Sequence, residues 1–124
     1  MPESRLEKID LAIQELKPFA NICDEACIRY KSQDYKIKSI TIGSKDPQAP
    51  CLILVSGVHG VEVIGIDVII TFLNRLASML QWDHTTHYQL EKIKIVIIPC
   101  LNPSGLIAKT RSTGTGVDLM RNAP

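Results

Sequence analysis

The chain has 124 residues, of which 45% are hydrophobic and 22% charged, and its net charge is +1. This length fits one domain with a sizeable core, and the composition is that of an ordinary globular protein. The near-neutral balance, without a Lys/Arg run or aromatic residues interleaved with basic ones, excludes a nucleic-acid partner.

Residues Met1 to Lys8 contain no apolar core and no small-residue cleavage site, so they are not a secretory signal and a cytoplasmic location is the expectation. From Ser4 to about Lys31 the pattern reads as helical. Leu6, Ile9, Ile13 and Leu16 recur at helical spacing, and Ser4 with Glu7 fits a capping box. Pro18 divides the stretch into two helices. Residues 1–33 are therefore expected to be a helical region, and residues 34–124 an α/β part of the same domain. Cys23 and Cys27 would share a helix face as small core residues, with half a metal or redox site as the alternative. With no export signal, none of the four cysteines is expected in a disulfide.

Tyr35 to Ile42 suggests a strand, and Gly43 to Pro47 a turn. Cys51 to Gly57 is a continuous apolar run of the kind buried on both faces of a parallel sheet. Val63 to about Leu80 reads as a helix with Ile66, Ile69, Ile70, Leu73 and Leu76 in its core stripe. The apolar stretch Val61 to Leu73 carries Glu62 and Asp67, and is too short and polar to cross a bilayer, so no membrane partner is expected. Gln81 to Glu91 is expected to be a polar connection, Lys94 to Pro99 a second buried strand, and Leu101 to Pro124 irregular.

The last strand, helix and strand form a βαβ unit. Its helix returns the chain along the sheet, so the loops after strands 51–57 and 94–99 lie at one sheet edge. Open α/β sheets bind ligands at such carboxyl ends. The first loop carries His59 and Glu62, three residues apart between glycines and a helix start. Zinc accepts both imidazole nitrogen and carboxylate oxygen. A surface histidine followed by a helix-opening glutamate gives the same pattern. The second loop carries Arg111 and Arg121. Each guanidinium suits a carboxylate or a developing oxyanion, and each also fits a solvated loop. Asp118 is expected to organise this loop or to pair with an arginine. Asn102-Pro103 reads as a turn. His84 and His87 fall in the connection at the opposite sheet edge, too far away to join His59.

Taken together, Ser56-Gly57-Val58-His59-Gly60-Val61-Glu62, Asn102-Pro103-Ser104-Gly105 and the segment from Arg111 through Gly116-Val117-Asp118-Leu119-Met120-Arg121-Asn122 resemble the zinc carboxypeptidase superfamily. The resemblance covers about residues 50 to 124. It implies an α/β fold, a mixed sheet containing the βαβ unit and flanked by helices, of which this chain is an N-terminal portion. It implies Zn2+ as cofactor with His59 and Glu62 as ligands, and Arg111 polarising the scissile carbonyl. It also implies Arg121 on the substrate's terminal carboxylate, with Asp118 and Asn122 shaping that loop.

The resemblance also places a third ligand, a histidine, and a general base, a glutamate, later than Pro124. The 124-residue polypeptide is accordingly expected to be inactive or nearly so. Met120 stands where the family has an asparagine and cannot make that hydrogen bond. This keeps open an aspartoacylase- or succinylglutamate-desuccinylase-like deacylase of small N-acyl amino acids beside a peptidase acting on C-terminal residues. A non-catalytic binding domain that kept the fold is the third reading. An exposed sheet edge is expected to favour a homo-oligomer.

Overall fold

The computed structural model describes residues 4–124. Helix α1 (Arg5–Leu16) starts on the capping box read from the sequence: the Ser4 hydroxyl accepts from the Glu7 N–H, and the Ser4 N–H donates to Glu7 Oε2 at 2.6 Å. Its buried face is Ile9, Ala12, Ile13 and Leu16.

The expected second helix is a strand, β1 (Asn21–Tyr30), which forms an antiparallel hairpin with β2 (Gln33–Gly43). Two residues, Lys31 and Ser32, join them with φ of 50° and 62°. That is the double left-handed geometry of the tight turn whose twist suits a hairpin. The division expected between residues 33 and 34 therefore falls inside one hairpin. Pairing with β2 overrides the helical reading of this segment. Cys23 and Cys27 lie exposed on β1, not in the core.

The sheet order is β1-β2-β4-β3, with β4 (Lys94–Ile98) antiparallel to β2 and parallel to β3 (Cys51–Val55). This is the mixed sheet expected. Helix α2 (Ile64–Leu80) connects the parallel pair, and every residue of its expected core stripe is buried. Ile40, Ile42, Ile95 and Ile97 supply the sheet's side of the core, packed against α1 and α2. Arg5 ties the helices together through both Asp67 carboxylate oxygens, at 2.8 and 2.9 Å.

Strand β3 departs from the expectation of burial on both faces. It is a sheet edge among the described residues, and Leu52, Ile53 and Val55 are exposed. An apolar run has the same sequence pattern whether its faces are covered or not. The segment expected to be a polar connection contains α3 (His84–Leu90), capped by Asp83, whose carboxylate accepts from Thr85 N–H and the Thr86 hydroxyl. The segment expected to be irregular holds α4 (Pro103–Ala108) and a 3-10 turn at Leu119–Arg121.

Candidate functional site

Strand pairing continues past both parallel strands and draws their loops together. Ser56 N–H donates to Ile98 O, Leu101 N–H to Ser56 O at 2.9 Å, and Asn102 N–H to Gly57 O at 2.9 Å. Gly57 has φ +70°, a conformation that favours glycine, and a Cβ there would press on Cys100. At Gly60 the His59 loop crosses the Gly105 backbone so closely that a methyl group would overlap it.

Asn102, read from sequence only as a turn, is the buried clasp of this region. Its Nδ2 donates to Val58 O at 3.0 Å and Ser112 O at 3.1 Å, and its Oδ1 accepts from Gly105 N–H at 2.9 Å. It thus caps α4, which has Pro103 in its first turn, and fastens both motif loops to each other. Asparagine followed by proline is a helix-start signal. The helix is too short to show periodicity, which is why the role was not legible.

His59 is 9% exposed. Its Nδ1 lies 3.0 Å from Glu62 Oε2, and its Nε2 lies 3.5 Å from Asp118 Oδ1. Nε2 is buried without a hydrogen-bond partner, so Asp118 is the carboxylate it faces. Arg111 Nε donates to Asp118 Oδ2 at 2.9 Å, and Arg111 Nη1 lies 3.7 Å from Glu62 Oε1. The hydrogen bond from Arg111 holds the Asp118 carboxyl below the usual carboxylate range. Asp118 also caps the 3-10 turn through Met120 N–H, and Asn122 Nδ2 donates to Asp118 O at 2.7 Å. Asp118 thus both organises its loop and pairs with an arginine, as the sequence suggested.

The structure therefore gathers His59, Glu62, Arg111, Asp118 and Asn122 into one network. Arg121 is on the adjoining turn, exposed, with no ion pair among the described residues. His87 is elsewhere: its Nε2 lies 2.6 Å from Leu80 O, and its ring meets Phe19 edge-on.

The network fits two positions of a zinc centre. One imidazole nitrogen and one carboxylate oxygen, both zinc-type donors, converge from one loop. His59 Nδ1 and Glu62 Oε2, 3.0 Å apart, are the two atoms that would hold the ion. A metal-bound histidine ordinarily gives its other ring N–H to a carboxylate, and Asp118 stands beside Nε2. Among the described residues no third histidine, cysteine or carboxylate completes a metal-binding group.

The zinc carboxypeptidase family matches residues 28–124. A metallo-carboxypeptidase from Burkholderia cenocepacia has the same fold, with a TM-score of 0.77 at 18% identity over 99% of this chain and 34% of that one. A metallo-carboxypeptidase from Pseudomonas aeruginosa, solved in complex with (2-guanidinoethylmercapto)succinic acid, gives a TM-score of 0.62 at 23% identity over 97% of this chain and 31% of its own. Carboxypeptidase SOL1 of Arabidopsis thaliana is 28% identical over 75 residues, 60% of this chain. The chain spans about a third of the two structures' length and 15% of the plant protein's.

Proposed function

Given that the chain belongs to the zinc carboxypeptidase family, we propose that it carries the first half of a zinc-dependent amide-hydrolysing site of the metallocarboxypeptidase type. The observation that carries this reading is His59 held between two carboxylates, Glu62 on Nδ1 and Asp118 toward Nε2. His59 Nδ1 and Glu62 would hold the ion. Zinc bound there supplies Lewis acidity toward a carbonyl and an activated water.

The chain's own residues do the rest of the work available to them. Asp118, kept ionised by Arg111, stands 3.5 Å from Nε2, where it would accept the Nε2–H and favour the tautomer that leaves Nδ1 as a donor atom. Arg111 reaches toward Glu62 and brings a cationic donor to the mouth of the site, suited to a substrate carbonyl oxygen. Arg121 offers a free guanidinium for a substrate carboxylate, and Asn122 fixes the turn that presents it. The Pseudomonas relative's ligand is itself a succinic acid, an anion of the kind such arginines recognise.

Catalytic zinc sites use three protein ligands, and the described residues bring two together. We therefore expect the 124-residue polypeptide to turn over peptide substrates little or not at all. The decisive measurement is zinc per chain in the purified protein beside His59→Ala. Weak, substoichiometric zinc that the substitution abolishes is the expected result. Zinc retention indifferent to His59→Ala would overturn the assignment, and robust turnover by the chain alone would overturn the half-site reading.

Met120 favours a second reading. It is exposed on the turn beside Arg121 and offers only a weakly accepting thioether, so it cannot donate to a carboxylate. A small N-acyl amino acid would then be the substrate in place of a peptide C-terminus. Comparing the two substrate classes on a zinc-loaded protein containing this chain separates the readings.

A further inference from the structure

The segment between Arg111 and Asp118 is a closed unit. Thr113 N–H donates to Val117 O at 2.8 Å, Gly116 N–H to Thr113 O at 3.0 Å, and Val117 N–H to the Thr113 hydroxyl at 3.1 Å. The 2.9 Å bond from Arg111 Nε to Asp118 Oδ2 fastens its two ends. Arg111 and Asp118 therefore belong to one small body, and their distances to Glu62 and His59 depend on how that body is seated.

Two seating points lie at the start of α4. Asn102 Nδ2 donates to Ser112 O at 3.1 Å, and Gly114 N–H donates to the hydroxyl of the buried Ser104 at 3.0 Å. The third comes from the hairpin. A Cβ on Gly114 would overlap the ring carbons Cδ2, Cε2 and Cζ of Tyr30, so the half-buried ring occupies the space a side chain would take. Gly114 is not in the left-handed region, so it is the ring, and not the turn, that requires glycine there. The N–H and the Cβ position diverge from one tetrahedral carbon. Ser104 and Tyr30 thus fix Gly114 from different sides. Tyr30 ends β1 and is paired with Gln33, and the hairpin packs against α4. A ring on a paired strand is a firm stop, because regular elements hold a site more precisely than loops.

We propose that Tyr30 is a positioning residue of the site: its ring seats the 111–118 unit so that Asp118 faces His59 Nε2 and Arg111 reaches toward Glu62. At 3.5 Å from Nε2, Asp118 Oδ1 has no distance to spare, and any retreat takes it beyond hydrogen-bond reach. The consequence for zinc rests on the half-site reading, whereas the seating belongs to the metal-free chain.

Two readouts on the full chain test this. In the metal-free protein, proton–nitrogen correlation spectra follow the His59 imidazole, assigned with His59→Ala. Competition with a chelating dye follows zinc affinity. Tyr30→Ala should move the His59 nitrogen resonances and lower zinc affinity by roughly fivefold to tenfold. Tyr30→Phe keeps the ring carbons that make the contact and should keep both readouts at their unsubstituted values. Gly114→Ala should reproduce the disturbance with the ring in place. Combined with Tyr30→Ala, which makes room for the methyl group, it should disturb both readouts less than the sum of the single changes, because residues acting separately would add. Circular dichroism checks folding, and if Tyr30→Ala fails to fold, Gly114→Ala against the double variant decides. His59 resonances unmoved by both single changes would overturn the proposal. So would additive effects, a Tyr30→Phe as disturbed as Tyr30→Ala, or zinc affinity that depends on His59 but not on the ring. Zinc binding indifferent to His59→Ala, with the resonances moved as expected, would overturn the half-site reading and leave the role of Tyr30 standing.

Discussion

The Asp118 carboxylate is shared. One oxygen accepts from Arg111, while the other caps a turn and stands 3.5 Å from the buried Nε2 of His59. A conservative Asp118→Asn keeps the shape and the turn cap but removes the charge that favours an Nε2–H. Zinc affinity should fall by about 10- to 100-fold, read by competition with a chelating dye, with little change in melting temperature. Unchanged affinity would show that Asp118 serves only its loop. The residue types of the site were legible in the sequence, because a His-x-x-Glu after a strand and an arginine-rich loop carry their chemistry openly. Their mutual geometry was not. That Asp118 faces His59 depends on Asn102 bonding to Val58, a contact between loops 44 residues apart. The cysteines show the same limit at another residue. Cys100 is buried, and burial pushes its thiol up to about 11, whereas Cys23, Cys27 and Cys51 are exposed. Near pH 8 a thiolate-directed reagent should label those three promptly and Cys100 only on unfolding. Mass spectrometry of timed samples reads the order, and prompt labelling of Cys100 would contradict its burial.

Among the elements, α1, α2 and the strands β2, β3 and β4 matched their reading, whereas β1, α3 and α4 did not. Helix α2 shows its stripe over 17 residues, and α1 announces its start with a capping box. The hairpin β1–β2 was hidden because its turn is Lys31-Ser32, which lacks the Asn-Gly or Asp-Gly signature of such turns. Both residues hold a backbone conformation that side-chain-bearing residues adopt at a cost. Lys31→Asn with Ser32→Gly should therefore stabilise the fold by about 1 kcal/mol, seen as a higher urea midpoint at unchanged slope. A lower midpoint would mean the turn is not the double left-handed one described. The Arg5–Asp67 pair joins α1 to α2 and holds the Asp67 carboxyl below its ordinary value through the hydrogen bond from Arg5. A carboxyl lowered on folding stabilises fully above its unfolded value, about 3.9, and loses that contribution as pH falls through the depressed value. Both side chains are well exposed, so the gain is at most about 1 kcal/mol. The melting temperature of Asp67→Asn should lie below the unsubstituted protein's near pH 6, and the gap should close as pH drops beneath about 4. A gap constant down to acid would exclude the ion pair as its cause.

For the molecule as a whole, a mixed sheet containing the βαβ unit and flanked by helices was what the family resemblance implied, and Ile40, Ile42, Ile95 and Ile97 supply the sheet's side of the core. What the pattern could not say is which strand lies at an edge, since strand order is a property of long-range pairing. The same property governs the order of assembly. The hairpin closes over two residues, whereas β3 and β4 meet only after α2 and α3 have been laid down between them, with Leu52 opposite Ile95. Distant pairings form slowly because the loop must be closed before any contact compensates for it. His59 and Asp118 come together only once that parallel pair and the Asn102 clasp exist. The local hairpin gains nothing from the site, and the site cannot precede the sheet. The proposed zinc constellation is thus expected to be a late product of folding, and an ion that favours it would act on the part of the chain that joins last.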